Sequence, residues 1–354
     1  AAGGTLNAPA NPKAASAGVA TFASVDYDTS ETIYLKATAG GMTAVCTGSI
    51  AVDPAAASQV VFTTEPAGTG TAGSNLSTQP IVEIRDPFDN VVSSTNTVTL
   101  TAYTDSGCTS ASGGTFNGGT KAAVAGVATF TAVNHEKDET IYLKASEGGL
   151  TTDCSTAVDV THATADYLSY TTEPSTTATA GADLSTQPVV TVYDTYANVV
   201  LSSSDSITLA AYTDSGCTSA TGGTLGATTN PLSASSGVAT FASVDYDTTE
   251  TVYLKASSGG LTVDCSNNIV VSSAAAAKVV FATEPAGTGT AGSNLSTQPI
   301  VEIQDAFDNV VNSTNTVTLT AYTDSGCTAA SGGTFNGGSK AAVAGVSTFT
   351  AVNH

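Results

Sequence analysis

Apolar and polar residues alternate with a period of two along several short stretches of this chain. PIVEIRD at 80–86 does so, as do TVTLTAY at 97–103, VATFTAV at 127–133 and TIYLKAS at 140–146. A pattern that reverses at every residue fits an extended strand with one face on a core. Between these runs lie the turn clusters DPFDN, SGGTFNGG and EGG. Pro66 and Pro80 stand at or before strand starts, where a missing N–H is tolerated. No window sustains the helical apolar period, so the expected fold class is all-β. About seven short strands with no helix-length gap predict a two-sheet sandwich.

The strand pattern itself repeats. VVFTTEPAGTGTAGSNLSTQPIVEIRDPFDNVV at 60–92 returns almost unchanged at 279–311, an offset of 219 residues, and a diverged copy lies between them at 167–200. The stretch from GGT to YLKA at 3–37 returns at 222–256 with the same offset. The unit is therefore roughly 110 residues, in two alternating types, A and B, which is the signature of a tandem repeat protein. The expected domains are the back half of a B-type repeat (1–52), a full A-type repeat (58–160), a full B-type repeat (165–272) and the front half of an A-type repeat (278–354). This phase reads as a slice of a longer array. A split domain completed between subunits is the alternative, but the GGT-to-GV(A/S)TF stretch occurs at both ends (3–22 and 332–349), so the ends overlap rather than mesh. The junctions AVDPAAASQ, THATAD and SSAAAAK are short and hold no Gly/Ser run, which predicts restricted bending.

Composition narrows the function. Only 11% of residues are charged, Trp is absent, and 30 acidic residues against 9 basic ones give a net charge of −21. Such a field repels phosphate backbones and anionic headgroups, so neither nucleic acid nor a membrane surface is an expected partner. No stretch of 18 or more apolar residues exists, so no membrane insertion is expected of this segment. The three histidines, His135, His162 and His354, stand near no nucleophile motif, and the chain is expected not to be an enzyme.

Six cysteines follow one rule. YTDSGC ends at Cys108, Cys217 and Cys327, and a second series, at the end of YLKASEGGLTTDC and its copies, gives Cys154, Cys265 and Cys46. Pairing within a repeat predicts the disulfides Cys108–Cys154 and Cys217–Cys265, with the second cysteine in the repeat's last strand. Cys46 and Cys327 then pair outside the sequence given. The closed loop of roughly 47 residues is worth about 4 kcal/mol of chain entropy. Buried free thiols are the alternative. A metal site is disfavoured by the lack of CxxC spacing. Disulfides imply an oxidising compartment, hence an extracellular, cell-surface location.

The run PIVEIRDPFDNVVSSTNTVTL, followed by GGTFNGG, AGVATFTAV and ETIYLKAS, resembles the bacterial immunoglobulin-like repeats of invasin- and intimin-type surface proteins. The resemblance spans essentially the whole chain and implies tandem immunoglobulin-like β-sandwiches in a surface-anchored array. Two departures stand out. The turn reads Asp89-Asn90 or Ala197-Asn198 where Gly-Asn is common, and the YTDSGC cysteine is additional.

Candidate sites are few. Asp86, Asp89 and Asn90, with their copies Asp305, Asp308 and Asn309, offer oxygen ligands for Ca²⁺, the one cofactor considered. An Asx-type turn is the competing reading, because the B-type copy, Asp194 and Asn198, loses the middle carboxylate. Asp26, Asp28 and Glu31, repeated as Asp245, Asp247 and Glu250, form a second acidic cluster, against the reading of a solvated turn whose A-type copy holds His135 and Lys137. Asp53, Asp159 and Asp166, with Glu65, Glu173 and Glu284 of the TEP segments, are rim charges or an ion bridge at the junctions. Asn75, Asn294 and Asn312 head N-glycosylation sequons. The expected function is the structural repeat region of an extracellular bacterial surface fibre, filament or adhesin stalk. Its partners are neighbouring repeats or identical subunits. The alternative is an adhesive module whose repeats hold a host or cell-surface receptor or a glycan, stiffened by Ca²⁺; Tyr103, Tyr212 and Tyr322 are its aromatic candidates.

Overall fold

A computed structural model describes residues 3–354, and among them every regular element is a β-strand. The chain forms two compact units. The first runs to Ala163 and takes in Tyr196–Asn198; the second comprises Thr164–Thr195 and Val199–His354.

In the first unit the alternating runs become strands with one face buried. Ile81–Arg85 is the centre of a three-stranded antiparallel sheet between Gln59–Thr64 and Val127–Thr129. The facing sheet runs Thr120–Ala122, Thr97–Tyr103, Glu139–Ser146, Val158–Thr161 and Thr69–Thr71. Its last pair is parallel, which brings the Thr69–Thr71 segment back alongside the end of the repeat. Register follows the buried set, with Val60 opposite Ile84 and Phe62 opposite Val82. Those four pack on Val98, Leu100, Ile141, Leu143, Val158 and Val160 to form the core. A slip of one residue would turn this whole apolar set outward, so the register is fixed by burial. This is an immunoglobulin-like β-sandwich.

The second unit repeats the strand set. Ala165–Thr172, Val189–Asp194 and Val238–Thr240 form one sheet. Thr177–Thr179, Ile269–Ser272, Thr251–Ser257, Ser206–Tyr212 and Leu232–Ser233 form the other. Its core includes Leu168, Val190, Val192, Ile207, Leu209, Phe241, Val252 and Leu254. Residues 278–354 add Lys278–Thr283, Ile300–Gln304 and Val346–Thr348 over a smaller cluster of Val301, Ile303, Val317 and Phe349. Val279 and Phe281, the copies of Val60 and Phe62, are exposed there.

The structure contains both intra-repeat disulfides, Cys108–Cys154 and Cys217–Cys265; Cys46 and Cys327 are free and exposed. The position of the second cysteine differs from expectation. Cys154 lies in a two-residue strand, Asp153–Cys154, that pairs with Glu139–Ser146, and the strand Val158–Thr161 follows it. The bridge therefore ties the loop after Thr97–Tyr103 to the penultimate strand of the same sheet. The sequence misled here because CSTAVDV holds too few residues to look like a turn and a new strand. The turn is made by Ser155, whose hydroxyl accepts Leu143 N–H at 2.8 Å and donates to Thr156 O.

Candidate functional site

The residues singled out as cation ligands converge on a hydrogen-bonded turn. Asp86 closes the strand Ile81–Arg85 and is fully buried. Its Oδ1 accepts the backbone N–H groups of Phe88 and Asn90, each at 2.9 Å. Its Oδ2 accepts Asn90 Nδ2 at 2.9 Å and the linker amide of Ala55 at 2.8 Å. Asp305 repeats all four contacts with Phe307, Asn309 and Ala274. Four inward-pointing N–H donors present positive charge to a carboxylate, the same electrostatic role that a cation would have. The DPFDN turn is an Asx turn that also holds the linker.

Burial raises the Asp86 pKa, but the Asn90 amide and the N–H groups of Ala55, Asn90 and Phe88 outweigh it and hold the carboxyl below its ordinary value. A folded-state pKa below the unfolded one contributes stability that is complete above the unfolded value, about 4, and is lost as pH falls through the folded one. The first unit's stability should therefore be flat from neutral pH to about 4 and fall below it. Chemical denaturation at a series of pH values measures this, and unchanged stability down to about pH 2 would count against it.

The residue before the asparagine has left-handed backbone: φ is 66° at Asp89, 64° at Ala197 and 71° at Asp308. This is where glycine is favoured. Asp89 and Asp308 compensate by reaching the neighbouring strand, accepting Gln59 Nε2 at 2.8 Å and Lys278 Nζ respectively. Ala197 has only a methyl group to offer. Ala197→Gly is expected to stabilise the protein by about 1 kcal/mol, read as a rise in the calorimetric midpoint.

The second acidic cluster lies opposite this turn. Within the first unit Asn90 Nδ2 donates to Asp28 O at 2.9 Å, and Ser30 N donates to Asn90 Oδ1 at 2.8 Å. In the second unit Asn309 makes the same pair with Asp247 O and Thr249 N, both at 2.8 Å. Asn198 does so with Glu136 O and Asp138 N, again at 2.8 Å. The two sequence clusters thus meet through a side-chain amide and main-chain atoms. Carboxylates of the second cluster serve their own repeat: Asp28 accepts Thr5 N at 2.6 Å, Asp247 accepts Thr224 N at 2.7 Å, and Asp26 accepts Asn7 Nδ2 at 3.0 Å. Asp245 differs, because burial, then Asp183 and Asp247, push its carboxyl up. Among the described residues no three His, Cys, Asp or Glu side chains converge as metal ligands would.

The A-type copy of that cluster is not a solvated turn at its first position. His135 is buried at 1% exposure, and its Nε2 meets Glu139 Oε1 at 2.9 Å and Ser112 Oγ at 3.4 Å. Serine and carboxylate share one ring nitrogen, whereas a nucleophile relay needs them on opposite nitrogens. In the B-type repeat Tyr246 takes this place and donates to Glu250. Glu65 and Glu173 tie their own repeats, accepting Thr156 N at 2.9 Å and Asn267 N at 3.0 Å. Asn75 and Asn294 are exposed and accept from Asn134 and Asn353 through Oδ1; Asn312 is also exposed.

Two groups escaped the sequence reading. Gln79 brackets Leu76 O, Val133 O and Val133 N, and Gln187 and Gln298 do the same in their copies. The only signal was the threefold return of STQP. Asp105 gathers the N–H groups of Gly107, Thr109 and Ser110 and so holds Cys108 in left-handed backbone, φ 50°.

No family model matches this chain, and no curated protein does. Among solved structures it is similar to the Yersinia pseudotuberculosis adhesin InvE at 15% identity, covering 69% of this chain and 66% of that one, with a TM-score of 0.26. Domains 4–9 of the surface layer protein SbsC match at 15% identity over 84% of this chain and 43% of that one, with a TM-score of 0.26. A β-glycosidase from Bacteroides vulgatus matches at 11% identity over 61% of this chain, with a TM-score of 0.26, and the match spans a quarter (25%) of that protein's length.

Proposed function

We propose that this chain is the structural repeat region of an extracellular bacterial surface fibre, filament or adhesin stalk of the invasin and intimin type. The observation that carries the reading is the recurrence of one sandwich, each of the two full copies with its own core and its own disulfide. Such repeats are stabilised locally, so length can vary with repeat number without a new fold. Disulfides persist outside the reducing cell interior, which supports the surface location. The division at 58–160 and 165–272, with partial repeats at 1–52 and 278–354, belongs to this reading. A compact repeat is about 35 Å across, so a long array would extend well beyond the cell envelope. The shared-nitrogen arrangement of Ser112, His135 and Glu139 favours a structural over a catalytic role.

Non-reducing mass spectrometry of native surface material tests the reading. Peptides joined as Cys108–Cys154 and Cys217–Cys265 are expected; free thiols there would remove it. Electron microscopy of the same material separates helical filaments of identical subunits from isolated beaded strings.

An adhesive role is the second reading, and one feature favours it. Tyr103 and Tyr142 are cross-strand partners with Lys144 Nζ 5.5 Å from the Tyr103 ring, and Tyr212, Tyr253 and Lys255 repeat this at 5.3 Å. Two aromatic rings beside a cation form a half-exposed face suited to a glycan or acidic receptor. Tyr103→Ala and Tyr212→Ala with folding intact but cell or glycan binding lost would establish adhesion.

A further inference from the structure

We infer that the Asp-x-aromatic-x-Asn turn is a plug, and that it docks into a socket of main-chain atoms and one glycine on the preceding repeat. The inference deepens the tandem-array reading and rests on it. One half of the plug is the asparagine. Asn90, Asn198 and Asn309 each donate to one main-chain carbonyl and accept one main-chain N–H across a sequence distance of 60–62 residues, Asn198 from a B-type repeat and the other two from A-type repeats. The other half is the aromatic residue two positions before it. The Phe307 ring lies so close to Gly181 that a Cβ there would overlap it, and Tyr196 covers Gly73 in the same way.

The socket glycines share one conformation, φ 72° at Gly73 and 69° at Gly181, and one hydrogen bond. Gly73 N donates to His135 O at 2.9 Å, and Gly181 N donates to Tyr246 O at 2.9 Å. That bond places the glycine beside the turn whose main chain the asparagine clasps. Gly292 repeats the set, with φ 75° and its N–H on His354 O at 2.8 Å, and nothing within 4 Å of a Cβ position. The socket thus meets the asparagine through main-chain atoms and the aromatic ring through a glycine. His135 in one repeat and Tyr246 in the other make no difference, because both contribute through their carbonyl. Joint recognition is blind to repeat type, and the aromatic ring and the amide set its geometry. The buried Asp305 completes the device by holding both Asn309 and the linker amide of Ala274.

Hydrogen exchange on the full chain tests this. The Thr249 N–H donates only to Asn309 Oδ1 among the bonds described, so its protection reports the joint. Asn309→Ala and Phe307→Ala are each expected to speed Thr249 exchange at least tenfold, with the core amides of Val190 and Val192 unchanged. Unchanged Thr249 exchange in both variants would overturn the docking. Should Asn309→Ala also loosen the core amides, Phe307→Ala decides, because it leaves the Asp305 bonds in place. Acceleration at Thr249 alone then supports the plug, and none overturns it. The readout is independent of cell-surface location, which the mass spectrometry above tests separately.

Discussion

Replacing Cys108 and Cys154 together with alanine is expected to destabilise the repeat that contains them by about 4 kcal/mol. The bridge closes a loop with a sequence separation of 46 residues, and removing it restores that loop's freedom to the unfolded chain. A domain of this size loses several degrees for each kcal/mol, so its midpoint should fall by roughly 20 °C. The repeat bridged by Cys217–Cys265 keeps its own staple. Calorimetry should therefore resolve one transition into two, because a multi-domain chain need not unfold as one unit. A single shared transition, or a shift of only a few degrees, would show that the loop is restrained by other means. Asp105 is the alternative restraint, since it holds the same loop through backbone N–H groups.

The second large effect is expected at Asp86. Asp86→Ala removes the acceptor for Ala55 N, Phe88 N, Asn90 N and Asn90 Nδ2 together. A buried donor without a partner costs about 1–3 kcal/mol, and water can reach the linker side, so a net loss of about 3 kcal/mol is expected. Urea denaturation should show the first unit's midpoint moving while the second, with Asp305 intact, stays in place. A loss below about 1 kcal/mol would mean that the turn holds its shape without the carboxylate.

The strands were legible because burial on one face imposes a period of two, and the runs at 81–85, 97–103 and 139–146 carry it. The disulfide pairing was legible for a different reason: repetition supplied several copies of one constraint. Local chemistry with two physical solutions was only partly legible. Asp86, Asp89 and Asn90 have the oxygen content of a cation site and of an Asx turn alike. Which solution holds depends on how many N–H groups reach Asp86, and one of them, Ala55 N, comes from 31 residues away. His135 was misread for a similar reason. Its neighbours Glu136 and Lys137 are polar, yet its ring is buried beside Phe116 and Glu139.

By itself the sequence determined the all-β class, the repeat of roughly 110 residues and the cysteine pairs, since each depends on the order and spacing of side chains along one repeat. Only the tertiary structure decided that two acid-rich turns, distant in sequence, meet. The groups that recognise Asn90 and Asn309 are carbonyl oxygens and amide hydrogens of another repeat. Every residue carries those groups, so no residue type marks them, and folding alone selects which are presented.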